Sequence, residues 1–250
     1  MTNPCDQQRS LGDGTRNGAR SNRSEVRRTR GWYSNALLLL ALAPLGLVAA
    51  GAVADETRKA TFAGGCFWCM EPPYDKLEGV KATVSGYTGG DLANPSYEQV
   101  SGGGTGHAEA VRIEYDPDRV SYGQLLVVFW HNIDPVAVDR QFCDRGSQYR
   151  SAIFYHNERQ RRLAERSKRL LAESGRFDQS IATEIAPAKA YYRAEDYHQD
   201  YYEKSSIKYK FYRWNCGRDQ RLQEIWGDLA GKPDPGEALA PILKGENGGS

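Results

Sequence analysis

The stretch Gly64–Glu71, GGCFWCME, holds two cysteines three positions apart with two large aromatics between them. Cysteines so spaced serve as a zinc clip, a haem anchor, a redox pair, or a lone nucleophile with a neighbour. A zinc clip needs four ligands, usually two such pairs or one pair with two spaced histidines. Here Cys143 and Cys216 stand alone. Covalent haem needs a histidine directly after the second cysteine, and position 70 is Met. A purely structural Cys66–Cys69 bridge closes a very short loop and adds little entropic stability. A papain-like nucleophile finds His198 downstream, but the Gly-Ser-Cys-Trp context is missing.

Position favours the nucleophile. Arg58–Ala63 reads as a strand, followed by two glycines and a cysteine that opens a helix. A thiol at the positive end of a helix ionises more easily, and the thiolate is the reactive form. Phe67 and Trp68 would wall a small apolar pocket beside it. Pro72-Pro73 distorts or restarts that helix. A second candidate is Glu109, in GHAEAVRIEY. It shares a strand face with Val111, Ile113 and Tyr115, while Arg112 and Glu114 point the other way. A carboxyl on an apolar face is desolvated, holds its proton longer, and becomes a proton donor near neutrality. The alternative is an inward glutamate satisfied by an arginine. A third group is DRGSQY, Asp144 to Tyr149, polar turn residues that end in a tyrosine at a strand start.

The elements that must position these residues alternate between strand and helix without a strict βαβ rhythm. Strands are expected at Arg58–Ala63, Val80–Gly86, Ala108–Tyr115, Tyr149–Tyr155 and Ile181–Ile185. Helices are expected at Tyr122–Asn132, stopped by Asp134-Pro135, and at Asn157–Ser174, with Asn157 as N-cap and Gly175 past its end. Ala194–Tyr202 reads as another helix, and 91–106 as loop-rich. The pattern predicts an α+β fold with helices packed on a sheet.

The whole chain has 250 residues and a formal charge of +1, with no nucleic-acid footprint. Residues 1–30 carry seven arginines against Asp6, Asp13 and Glu25; the apolar run Ala36–Ala50 and Ala52-Val53-Ala54 follow. A basic region, a short apolar core and an A-x-A site read as a secretory signal, or as an anchor if uncleaved. Cleavage after Ala54 would leave 26 basic and 29 acidic residues and four cysteines: 66, 69, 143 and 216. The expected organisation is 1–54 as basic region and signal, 55–230 as the functional domain, and 231–250 as a Gly/Pro-rich disordered tail.

GCFWCME, SGYTGG, NPSYEQV, GHAEAVRIEYDP, RQFCDRGSQYRSAIF and AEDYHQDYY, in that order, resemble peptide methionine sulfoxide reductase of the A class, over about Lys59 to Asp228. The resemblance implies a two-layer sandwich with a ferredoxin-like core and an irregular C-terminal tail. It implies reduction of the S epimer of methionine sulfoxide, free or in oxidised proteins. No bound cofactor or metal is implied; a thioredoxin-like dithiol supplies the electrons. Carried onto this chain, Cys66 is the nucleophile and Glu109 the acid. Phe67 and Trp68 hold the substrate methyl, and Tyr97, Asp144 and Tyr149 surround the sulfoxide oxygen. Cys66 sulfenic acid then condenses with a second thiol, for which Cys216 is favoured over Cys69. Cys143 reads as a small buried core residue. His107 and His198 read as hydrogen-bonded scaffold, and the tyrosine-rich stretch 191–214 as packing for the segment that carries Cys216. An exported, periplasmic, monomeric enzyme is expected, membrane-bound only if the N-terminal run stays uncleaved. Two other readings stand beside it: a thioredoxin-like oxidoreductase using Cys66 and Cys69, and a secreted binding module with structural disulfides.

Overall fold

The computed structural model describes residues 57–244. The expected basic region and signal, 1–54, and the end of the expected tail, 245–250, lie outside the described residues.

Eight strands are described: β1 Arg58–Gly64, β2 Val80–Thr88, β3 Ala108–Tyr115, β4 Arg140–Gln141, β5 Asp144–Arg145, β6 Ser151–Tyr155, β7 Glu184–Pro187 and β8 Tyr192–Arg193. Six of them form one sheet in the order β7-β6-β1-β3-β2-β8, antiparallel except for the β6–β7 pair. Helices α1 Glu71–Asp75 and α3 Tyr122–His131 complete a β-α-β-β-α-β unit. Its strands lie in the order fourth, first, third, second, which is the ferredoxin-like arrangement. The expected α+β class holds. β1 pairs with antiparallel neighbours on both sides, which excludes the parallel βαβ setting of a thioredoxin-type pair.

Burial explains the two central helices. α3 has Ser121 as N-cap, in a reciprocal capping box with Gln124. Its Leu125, Leu126, Phe129 and Trp130 join Phe62, Tyr74 and Ile113 in the main core. Helix α4, Glu158–Glu173, buries Gln160, Leu163, Ala164, Ser167 and Leu171 at helical spacing. The Asn157 side chain accepts the Gln160 amide at 2.9 Å, as its capping role requires. The other sheet face carries a smaller cluster of Ala63, Ala108, Ala110, Ala152 and Phe154. Both faces of β3 are therefore covered near Glu109.

Four expectations are corrected. The region 91–106 is not all loop: α2, Tyr97–Ser101, is capped by Ser96 and Gln99. Ala194–Asp200 is not helical, and only α5, Tyr201–Lys204, is. Gln199 is drawn away to the Ser85 backbone, and the Asp200 amide to Glu71, with Asp200 at φ +52°. The strand after α4 starts at Glu184 rather than Ile181, because the Ala182 amide is taken by Pro135 O at 2.8 Å. Residues 231–244 are not a disordered tail. Helix α8, Gly236–Lys244, buries Leu239 and Ile242 and packs on α3 and α4. Before it come α6, Ser206–Asn215, and α7, Arg218–Trp226.

Candidate active site

Cys66 lies at the end of β1, directly after Gly65. Gly65 has φ +83°, and a Cβ there would stand 2.6 Å from Gln141 Cβ, so both the turn and the packing require glycine. Cys66 does not open an α-helix as expected. It caps a single 3-10 turn, Phe67–Cys69, closed by the Cys69 amide on Cys66 O at 3.0 Å. The chain then restarts as α1, with Pro72 and Pro73 in the first turn, where the missing amide protons are tolerated.

That turn presents one amide to a carboxylate. Phe67 N donates to Glu109 Oε2 at 3.1 Å, which fixes the acid beside Cys66. Glu109 is 1% exposed, in phase with Val111 and Ile113 as the strand pattern predicts. A backbone amide is thus among its partners.

The aromatics close over the turn. The Phe67 ring lies 6.0 Å from Tyr87 and 5.0 Å from His198. Trp68 Nε1 donates to His198 Nδ1 at 3.0 Å, so the neutral His198 ring carries its proton on Nε2. Burial lowers the His198 pKa to about 4, which keeps the ring neutral and able to accept. His198 Nε2 stands 3.9 Å from Glu195 Oε2. Glu195 also accepts Tyr87 OH at 2.8 Å and the Tyr97 amide at 2.9 Å. One carboxylate outside the predicted set thus ties Tyr97 to the indole. His198 is scaffold, as expected, and so is His107, which bonds Gly90 N and Leu92 O.

The C-terminal segment covers the other face of Trp68. Tyr201 stacks on it at 3.9 Å, and Tyr212 meets it edge-on at 5.9 Å. Tyr212 OH donates to Asp144 Oδ2 at 2.5 Å. Asp144 and Tyr149 are both buried, on β5 and on the turn before β6. The predicted residues 66, 67, 68, 97, 109 and 144 are therefore linked through bonds and ring contacts, and the turn Ser147–Tyr149 lies next to β3.

The cysteines depart from expectation. Cys143 is not a buried core thiol: it is half-buried and disulfide-bonded to Cys216. Cys216 therefore does not stand free beside Cys66. Cys66 and Cys69 are both free thiols and both buried. Their side chains hydrogen-bond to each other, and that bond, reinforced by Arg218 and Arg213 against the opposing effect of burial, lowers the Cys69 pKa to about 6. Arg218 is itself buried. It donates to Gly64 O at 3.1 Å and Asn132 O at 2.7 Å, and its guanidinium sits 4.4 Å over the ring of Phe142, next to Cys143. Both arginines flank Cys216 in the sequence, but nothing in RWNCGRDQR marks them as partners of a cysteine some 150 residues earlier.

A family model described as peptide methionine sulfoxide reductase matches residues 58–230. The chain is 52% identical over 175 residues to a peptide methionine sulfoxide reductase MsrA of Bacillus licheniformis, covering 70% of this chain and 97% of that one. It is 49% identical over 172 residues to the protein of that name from Listeria innocua, covering 69% and 97%. The solved structure of Mxr1 from Saccharomyces cerevisiae in reduced form superposes with a TM-score of 0.55 at 32% identity, over 61% of this chain and 88% of that one. Methionine sulfoxide reductase A of Corynebacterium diphtheriae gives 0.54 at 35% identity, over 60% and 76%. With the family model spanning the whole described sheet and relatives about half identical over nearly their full length, the chain belongs to the peptide methionine sulfoxide reductase family.

Proposed function

We propose that this site reduces methionine-(S)-sulfoxide through Cys66 and passes the oxidising equivalent outward in two steps. The enzyme is a peptide-methionine (S)-S-oxide reductase; the residue roles are the proposal. The observation that carries them is the Phe67 amide on Glu109, which puts a desolvated carboxyl beside the Cys66 turn. Cys66 thiolate attacks the sulfoxide sulfur while Glu109 delivers a proton to the oxygen, and Tyr97, Tyr149 and Asp144 stabilise the charge growing there. The oxygen moves to Cys66 as sulfenic acid, and methionine leaves.

Cys69 is the better first resolver. It is already in hydrogen-bond contact with Cys66, a bond that lowers its pKa. Its thiolate attacks the Cys66 sulfenic sulfur, and the departing hydroxyl takes up a proton and leaves as water, giving a Cys66–Cys69 disulfide. Reduced Cys143 and Cys216 then exchange with that bridge, returning two thiols and forming Cys143–Cys216. An external thioredoxin-like dithiol reduces this half-exposed bridge. This order reverses the sequence-based preference for Cys216 at the first step. Phe67 and Trp68 are the proposed methyl pocket. Tyr201 covers Trp68 in the bridged form, so substrate entry requires the C-terminal segment to lift. No bound cofactor takes part in this scheme, and we place the enzyme outside the cytoplasm, on the strength of the N-terminal basic and apolar run.

The test is turnover of a peptide carrying separated sulfoxide epimers, with a thioredoxin-like protein as reductant. Consumption of the S epimer alone, lost in Cys66→Ser, supports the reading. Turnover that survives Cys66→Ser rejects it.

A further inference from the structure

Six large apolar side chains are exposed among the described residues, and three of them lie on α6. Ile207 is 83% exposed, Phe211 66% and Trp214 75%. At about 100° per residue these positions fall within about 60° of one another, a single stripe two turns long. The rings of Phe211 and Trp214 lie 6.1 Å apart. Single exposed apolar residues are ordinary, whereas a continuous stripe marks an interaction surface. Lys208 and Lys210, both exposed, flank it on its two sides. The helix, SIKYKFYRWN, contains no acid. Its remaining cation, Arg213, turns away to Asp219.

Three occupants can be weighed. A protein reductant must reach Cys216. The helix geometry continues through that residue, and its side chain falls about 170° from the centre of the stripe. A reductant seated on the stripe would face away from the bridge. A second copy of the chain would set lysines against lysines across the same face. An anionic bilayer meets both conditions, with apolar side chains in the acyl boundary and lysines at the phosphates.

We propose that α6 seats the domain on an anionic membrane surface, with Ile207, Phe211 and Trp214 inserted and Lys208 and Lys210 on the headgroup phosphates. The half-buried Cys143–Cys216 bridge then lies on the side of α6 away from the bilayer. The apolar run Ala36–Ala50 gives an independent reason for the chain to meet a membrane. The inference needs no step of the sulfoxide chemistry.

The test is hydrogen–deuterium exchange of the full chain with and without phosphatidylglycerol–phosphatidylcholine vesicles, read at the amides of 206–215. Exchange there should slow about tenfold with anionic vesicles, less with phosphatidylcholine alone, and less at high salt. The double variant Phe211→Ser/Trp214→Ser should lose this slowing while keeping its turnover with a small-molecule thiol, which shows that it folds. Vesicle binding of the full chain without protection at 206–215 overturns the proposal, because the N-terminal run would then act alone. Protection that rises with protein concentration in the absence of vesicles assigns the face to a second copy. A raised KM for a thioredoxin-like protein in the double variant, without vesicle protection in the wild type, assigns it to the reductant.

Discussion

The molecule holds two cysteine pairs in opposite redox states and opposite surroundings. Cys66 and Cys69 are free, fully buried, and walled by Phe67 and Trp68. Cys143 and Cys216 are bonded, half-buried, and 73 residues apart in sequence. In the proposed scheme the first pair meets a small electrophile and the second a large partner. A Cys66–Cys69 bridge would add about 2 kcal/mol to the fold by loop closure, and the Cys143–Cys216 bridge adds about 4 kcal/mol in the same chain-entropy picture. The outer bridge also ties down the segment whose Tyr201 and Tyr212 lie on Trp68. Closure of the inner site and oxidation of the outer pair therefore occur together in this structure, as the proposed scheme expects of its end state.

The contrast breaks most completely at Cys66. Cys66→Ser should show no detectable sulfoxide reduction with any thiol, because a hydroxyl is a poor nucleophile at neutral pH and forms no sulfenic acid; methionine release by mass spectrometry checks it. Glu109→Gln keeps the shape and the Phe67 contact but cannot give up a proton. Its single-turnover rate should fall by about 10²–10⁴-fold, with substrate affinity much less changed, as rapid-quench kinetics would show. The outer pair should behave differently. Cys216→Ser should keep a full first turnover and stop cycling with a protein dithiol, accumulating a Cys66–Cys69 bridge visible by peptide mapping. Cys69→Ser should instead accumulate Cys66 sulfenic acid, trapped by a dimedone-type reagent.

A smaller effect tests the electrostatics between the pairs. Reduced enzyme should show one thiolate forming with a midpoint near the pKa of about 6 given to Cys69 by its Cys66 hydrogen bond and the two arginines. Arg213→Met should move that midpoint up by roughly one unit, followed by ultraviolet thiolate absorbance.

An effect on stability alone lies behind the inner pair. Burial raises the Glu71 pKa to about 7, against the opposing bond from Ser85. The folded chain therefore holds a proton that the unfolded chain releases above its ordinary value near 4.5. That contribution to stability is full below about 4.5 and is lost as pH rises through 7, a change on the order of 3 kcal/mol at most. Denaturant unfolding should show this decline between those limits in the wild type, and Glu71→Gln should flatten it.

Much of this was legible in the sequence because it rests on local pattern. The alternation in Ala108–Tyr115 places Glu109 inward, and the structure buries it. Asn157 and the apolar spacing after it set α4. Pro72-Pro73 signals the restart after the 3-10 turn. The failures are long-range. No local pattern pairs Cys143 with Cys216, brings Arg213 and Arg218 to Cys69, or makes Glu195 a shared acceptor for Tyr87 and Tyr97. Ala194–Asp200 has helix-compatible residues, but the Ser85 backbone and Glu71 compete successfully for its polar groups. The helix after Gly236 was hidden by the Gly/Pro run before it, although Leu239 and Ile242 carry a helical period.

The direction of transfer between the two pairs is tested most directly by following one equivalent. The enzyme is reduced fully, freed of reductant, given a single equivalent of methionine-(S)-sulfoxide, and its disulfides are mapped by mass spectrometry over time. The expected course is a transient Cys66–Cys69 bridge that gives way to Cys143–Cys216 with both inner thiols free. A direct Cys66–Cys216 bridge, or a Cys66–Cys69 bridge that persists as the end state, contradicts it.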